Sequence, residues 1–278
     1  MNISYLSRPE GRIAYTVQGS GPLLVAIPGM GDLASGLSRL AAELASAGYR
    51  VAVMDLRGHG NSDTSFRLHG DQATGEDLLA LIEQLGGAAV VLGNSMGGSA
   101  AVWAAVERPS AIAGLVLYSP FLRNPASGAF AQTMIKLVYR LLFLPPWGAG
   151  LWSSLYRGFN KGRRAPSLPE HVAAIKASLR EPGRLRSLRE LAVQLDHQVV
   201  EDRLADLKTP GRVFIGQSDP DFSDPAAESA WMKGLGLRAE LVPESGHYPH
   251  LQRPELVLPA TVEFLTELRQ TGLWGANA

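Results

Sequence analysis

Gly93-Asn94-Ser95-Met96-Gly97 sets one hydroxyl between glycines, inside the run VVLGNSMGGSAAVWAAVERP that spans 90–109. The apolar residues before it read as a buried strand and the alanine-rich residues after it as a helix. A G-x-S-x-G sequence in a strand–turn–helix context can hold a serine clear of a sheet on a sharply reversed backbone. Neighbours two positions away must then lack Cβ atoms, which accounts for the glycines. The helix that follows would point its first amides at the reacting centre, and the N–H of Met96 can donate to a developing oxyanion. GNSMGGS lacks the Lys-Ser/Thr ending of a phosphate-cradling loop, so acyl chemistry fits it better than nucleotide binding.

A serine hydroxyl is a weak nucleophile and needs a base, which in turn needs an orienting acid. Of six histidines, His247 in ELVPESGHYPHLQRPE directly follows a strand and a Ser-Gly turn and is the first candidate base; His250 is the reserve. His59 falls in a glycine turn, His69 in a polar loop, and His171 and His197 in a helical region. VFIGQSDPDFSDP offers Asp219, Asp221 and Asp224 after one strand, with Asp219 nearest the strand end and first in order as the acid. Turn chemistry alone would also enrich Asp and Pro there. A second oxyanion donor is expected after the strand LLVAIPGMGD, at the amide of Met30.

Strands and helices alternate along most of the chain. GPLLVAIPG, YRVAVMDLRGHG, AAVVLG, AIAGLVLYSP, GRVFIGQSD and RAELVPESGH read as strands. LSRLAAELASAGY, GEDLLALIEQLGG, PAAESAWMKGLG and PELVLPATVEFLTELRQ read as amphipathic helices between or after them. Such alternation predicts a mostly parallel sheet covered on both faces. Between Phe121 and Lys208 it lapses into helical sequence, so one α/β domain (1–120 and 209–278) is expected to carry a helical insertion at 121–208. Residues after Leu273 are expected to fray.

At 278 residues, with 46% hydrophobic and 19% charged residues, the chain has the composition of a globular protein with a substantial core. Lys+Arg and Asp+Glu balance at 26 each, which argues against a nucleic-acid partner. The absence of cysteine excludes disulfides, thiolate metal sites and a cysteine nucleophile. No dedicated cluster of metal ligands is evident, and no cofactor is implied. Without a signal-like start or a long apolar run, a cytoplasmic protein with no membrane insertion is expected. The charge is uneven: 121–208 holds 14 Lys+Arg against 7 Asp+Glu.

IPGMGD, DLRGHGNSD, GNSMGG, IGQSDPD and ESGHYPHLQRPE occur in the order found in α/β-hydrolase fold proteins, and the resemblance covers nearly the whole chain. It implies an eight-stranded, mostly parallel sheet with a helical cap after the sixth strand. It also implies a triad at Ser95, Asp219 and His247, with Asp55, Arg57 and Ser62 as structural turn residues. Haloalkane dehalogenases and epoxide hydrolases of this fold use aspartate where this chain has Ser95, so those chemistries are disfavoured. The expected activity is hydrolysis of a small to medium carboxylic ester or thioester through an acyl-enzyme on Ser95. C–C bond cleavage or lyase chemistry with the same triad, and a ligand-binding protein with little turnover, are the alternatives. Phe143, Trp147, Trp152 and Tyr156 would specify a pocket or, more simply, bury the inserted helices against one another.

Overall fold

The computed structural model describes residues 2–124, 129–272 and 274, without the side chains of 129–133. Eight strands form one sheet: β1 (Ile3–Arg8), β2 (Gly11–Gln18), β3 (Leu23–Ile27), β4 (Arg50–Met54), β5 (Ala89–Asn94), β6 (Ile112–Tyr118), β7 (Gly211–Gly216) and β8 (Arg238–Val242). Their order is β1-β2-β4-β3-β5-β6-β7-β8. The pairs β1–β2 and β2–β4 are antiparallel and all others parallel. The six strands expected from their apolar runs are all present. The N-terminal hairpin β1–β2 was not among them, because β1 buries only Leu6 and β2 only Ile13 to Tyr15, so neither shows a long apolar run.

The helices are α1 (Ser38–Ser46), α2 (Asp71–Leu85), α3 (Met96–Glu107), α4 (Ala129–Leu142), α5 (Gly148–Phe159), α6 (Leu168–Leu179), α7 (Arg184–Gln194), α8 (Gln198–Glu201), α9 (Pro225–Gly234), α10 (Pro249–Gln252) and α11 (Pro254–Gln270). Strand pleating divides the core between the two faces of the sheet. Val25, Ile27, Met54, Val91, Leu115 and Leu117 pack toward α2 and α3, while Leu24, Ala26, Val53, Leu92 and Val116 pack toward α1 and α11. Both faces are covered, which is why β3 and β5 are apolar at nearly every position.

Helices α4 to α8 all fall between β6 and β7. Helices α4 to α7 share a third apolar cluster in which Phe143, Trp152, Tyr156, Val172 and Leu188 are buried with Tyr248, while Val200 of α8 joins the first cluster. The long helical run from His171 to Leu195 is two helices, α6 and α7, because Pro182 cannot continue a helix and Gly183 (φ 85°) turns the chain into α7. Of the four aromatic residues singled out in this region, Trp147 is the exception: it lies on the surface. The fraying expected after Leu273 fails at Trp274, whose ring stacks on Tyr49 at 5.8 Å; residues 275–278 lie outside the described residues.

Candidate active site

Ser95 sits between β5 and α3 with φ 53° and ψ −125°, the left-handed backbone expected of it. Its amide donates to Tyr118 O at 2.9 Å, and its carbonyl accepts the Gly98 and Ser99 amides at 2.9 and 3.2 Å. These bonds offset the strain of about 1–3 kcal/mol that such a conformation stores. The glycines answer to distance as well as to φ. A Cβ on Gly93 would stand 2.6 Å from the backbone of Gly97 and Gly98, and one on Gly97 would stand 2.6 Å from Ile27 O and Pro28 O. A Cβ on Gly29 would come within 3.0 Å of Ser95 Cβ, so the loop carrying Met30 runs directly against the serine. Met96 opens α3, whose first amides have no partner within the helix.

His247 follows β8 in a loop fixed by several elements. Its Nδ1 lies 2.9 Å from Asp219 Oδ2, beyond the end of β7, and 3.3 Å from Asp221 Oδ2. Asp219 and His247 are buried, while the Asp221 side chain is 25% exposed. Burial alone would raise the Asp219 carboxyl, but His247, the Ser119 hydroxyl and the Asp221 amide hold it below its ordinary value. Burial opposes a charge on His247, yet the two carboxylates prevail and raise it to about 9. Burial and the like charge of Asp219 push Asp221 up. The remaining candidate, Asp224, is occupied elsewhere: its carboxylate accepts the Ala226 and Ala227 amides and caps α9. Asp219, Asp221 and His247 also offer ligand atoms within 4.8 Å of one another, but the Nδ1–Asp219 bond already uses the imidazole nitrogen that faces both carboxylates.

Asn94 links the two halves of this arrangement, its amide donating to Tyr118 O at 2.9 Å and to His247 O at 3.1 Å. Phe121, Phe159 and Tyr248 surround the imidazole with ring centroids 5.3–5.9 Å away. The structure thus brings Ser95, His247, Asp219, Met30 and Met96 to the same end of the sheet. His250 is set apart: it is buried against Tyr118 at 4.6 Å, and burial lowers it to about 3.

The inserted helices grip this region at two places. The His247 amide donates to Phe159 O at 3.0 Å, and Gln252 donates to Lys161 O and Arg163 O. On the Met30 loop, Trp152 Nε1 donates to Gly31 O at 2.9 Å. Asp32 accepts from Tyr156 Oη at 3.0 Å and pairs with His171 Nε2 at 2.6 Å. Burial opposes a charge on His171, but Asp32 raises it above the ordinary histidine value. From the sheet side, the Gly31 amide donates to His59 Nε2 at 3.2 Å. Because His59 Nδ1 meets the carbonyl of Arg57, Nδ1 carries the proton and Nε2 is the acceptor. Burial lowers His59 to about 4, which keeps it neutral in that role. Sequence reading missed Asn94, Asp32 and Tyr248. Asn94 and Tyr248 adjoin the two singled-out residues in the chain, but the partners that give Asn94 its role, Tyr118 and His247, lie 24 and 153 positions away.

Asp55, Arg57 and Ser62 are structural, as the resemblance implied. Asp55 accepts the Ala34 and Asn61 amides, Arg57 pairs with Asp77, and Ser62 accepts the Ala14 amide.

Residues 24–260 match the profile of the Alpha/beta hydrolase family. The AB hydrolase superfamily protein YfhM of Bacillus subtilis is 24% identical over 261 residues, covering 88% of this chain and 90% of that protein. The sn-1-specific diacylglycerol lipase ABHD11 of Mus musculus is 36% identical over 123 residues, but these span only 41% of this chain and 38% of the lipase. Among solved structures, a thermophilic esterase from Thermogutta terrifontis has a TM-score of 0.78 at 23% identity, covering 96% of this chain and 99% of the esterase. By the extent of the profile match, the chain belongs to the α/β hydrolase family.

Proposed function

We propose that the protein hydrolyses carboxylic esters or thioesters of apolar acyl groups through an acyl-enzyme on Ser95. The observation that carries this reading is the buried Asp219–His247 pair, tied through Asn94 to the strained turn that bears Ser95. Asp219 orients the imidazole through Nδ1, which leaves Nε2 to take the serine proton as Oγ attacks the carbonyl carbon. The Met30 and Met96 amides receive the oxyanion. The imidazolium then gives its proton to the leaving group, and water activated by the same nitrogen releases the acid. The aromatic walls at Phe121, Phe159 and Tyr248 favour an apolar acyl chain over a charged one. The helices between β6 and β7 act as a cap over the site. The activity named for the mouse relative, a diacylglycerol lipase, is of the same class.

Treatment with a fluorophosphonate, followed by intact mass, tests the proposal. One adduct on the parent and none on Ser95→Ala is expected, with turnover of nitrophenyl esters or acyl thioesters by the parent alone. An adduct that persists in Ser95→Ala, or ester turnover unchanged by that substitution, would overturn it.

A further inference from the structure

Helix α4 is turned inside out. A helix covering a domain normally buries its apolar stripe and shows its polar face to solvent. Here Met134, Ile135, Leu137, Val138 and Leu141, together with Trp147 beyond the helix end, are all 39–58% exposed. The five helical positions follow the i, i+1, i+3, i+4, i+7 pattern of a single face. The opposite side holds the polar groups: Lys136 acts on Asp196, and Tyr139 is close enough to feel the charge of Asp221. Tyr139 also stacks on the buried Phe143 at 5.7 Å. The inner side thus carries Lys136 and packs Tyr139 and Leu142 on the apolar cluster around Phe143, while the stripe from Met134 to Leu141 looks outward.

Positive charge borders that face. Arg140 is exposed beside Leu141, and α7 packs along α4. A groove at Pro145 and Pro146, just before Trp147 in the chain, is lined by Phe143 with Arg180, Arg186 and Arg189 and one acid, Glu181; Arg186 is held by Thr64 O and Glu190. Across 121–208 the net formal charge is +7, in a chain whose total is zero. An apolar stripe with an indole at its edge and an arginine rim is the composition of a segment lying in an anionic lipid interface. A second copy of the chain fits less well, since a twofold contact through this face would bring the same arginines together.

We propose that the outer face of α4, with Trp147, docks the protein on an anionic lipid surface, the apolar side chains entering the headgroup region and Arg140, Arg180 and Arg189 meeting lipid phosphates. Docking there would set α4 between the bilayer and the proposed catalytic region, since Tyr139 on its inner side lies close enough to feel the charge of Asp221. The binding itself does not depend on the proposed chemistry.

Co-flotation of the full chain with vesicles of phosphatidylcholine, with and without phosphatidylglycerol, tests this. The anionic vesicles should carry the protein at least about tenfold more strongly, with binding that weakens as salt is added. Leu137→Glu with Leu141→Glu, both at exposed sites, should abolish flotation while circular dichroism stays unchanged. Arg189→Glu should weaken it by about fivefold or more. Ser95→Ala should float like the parent, which separates this proposal from the catalytic one. No flotation by the parent, equal flotation on both vesicle types, or flotation indifferent to the two leucine substitutions would overturn the proposal. So would a concentration-dependent dimer abolished by the same substitutions, because it would name a second copy as the occupant.

Discussion

At the scale of single residues, the site sets two carboxylates against one imidazole. Asp219 is buried and receives the Ser119 hydroxyl and the Asp221 amide, whereas Asp221 is part-exposed and its charge is disfavoured. On the proposed mechanism Asp219 is thus the orienting acid, and Asp221 acts through its field. Asp219→Asn is expected to lower kcat by about 10⁴-fold, as loss of the correct tautomer does in such triads. Asp221→Asn should leave kcat within about tenfold. The two also separate by pH. With His247 raised to about 9, kcat/KM should climb with pH as the imidazole loses its proton. Removing the Asp221 charge favours the neutral ring, so in Asp221→Asn this limb moves to lower pH. Rates across the pH range check both statements, and a larger loss in Asp221→Asn than in Asp219→Asn would reverse the assignment. The order of the candidates was legible because a strand end holds its first residue more firmly than the second or third. The joint contact of both acids with Nδ1 was not, since it depends on how Pro220 turns the chain.

At the scale of elements, the inserted helices act on the site less as a roof than as a clasp. Gly31 is held from the sheet by His59 and from α5 by Trp152, and Asp32 is held by α5 and α6. The peptide that carries the Met30 amide lies just before them, held by the Asp32 amide, which donates to Gly29 O at 3.2 Å. Trp152→Phe keeps most of the buried ring but deletes the donor to Gly31 O. It is expected to lower kcat by about tenfold with KM little changed, since the oxyanion role proposed for the Met30 amide would act mainly in the transition state. Steady-state kinetics on one ester checks this, and a rise in KM at constant kcat would place Trp152 in substrate binding instead. What the sequence made legible follows the same division. Strands buried on both faces announce themselves as apolar runs, and α3 announces itself through its alanine-rich sequence after Ser95. The β1–β2 hairpin is an edge, half-exposed, and its pattern is correspondingly weak. The clasp joins residues more than a hundred positions apart, such as Trp152 and Gly31, and no local pattern encodes such a contact. Nor does periodicity reveal which way a helix faces: α4 has a clear apolar stripe, and only the fold turns it outward.

At the scale of the whole molecule, five of the six histidines divide into two groups, and only one of these weakens the fold as pH falls. His171 and His247 are raised by carboxylate partners, so below about pH 6.5 they are protonated in both the folded and the unfolded chain and add no pH dependence. His59, His69 and His250 are lowered by burial to about 4, 4 and 3. In the unfolded chain these three take up protons below about 6.5, while in the folded chain they stay neutral to much lower pH. Each therefore draws stability away as pH falls from about 6.5 toward its folded value. The raised carboxyls of Asp55, Asp71 and Asp221 act in the opposite sense, so the parent's net slope mixes both. A difference between variants isolates one group. His250 stacks on Tyr118, and its Nδ1 meets no partner, so a phenyl ring can take its place. His250→Phe should fold and should flatten the dependence of unfolding free energy on pH by one proton, about 1.4 kcal/mol per pH unit, across that window. His171→Gln should leave the slope there unchanged. Denaturant unfolding at a series of pH values measures both, and an unaltered slope in His250→Phe would mean that His250 is already charged in the folded protein.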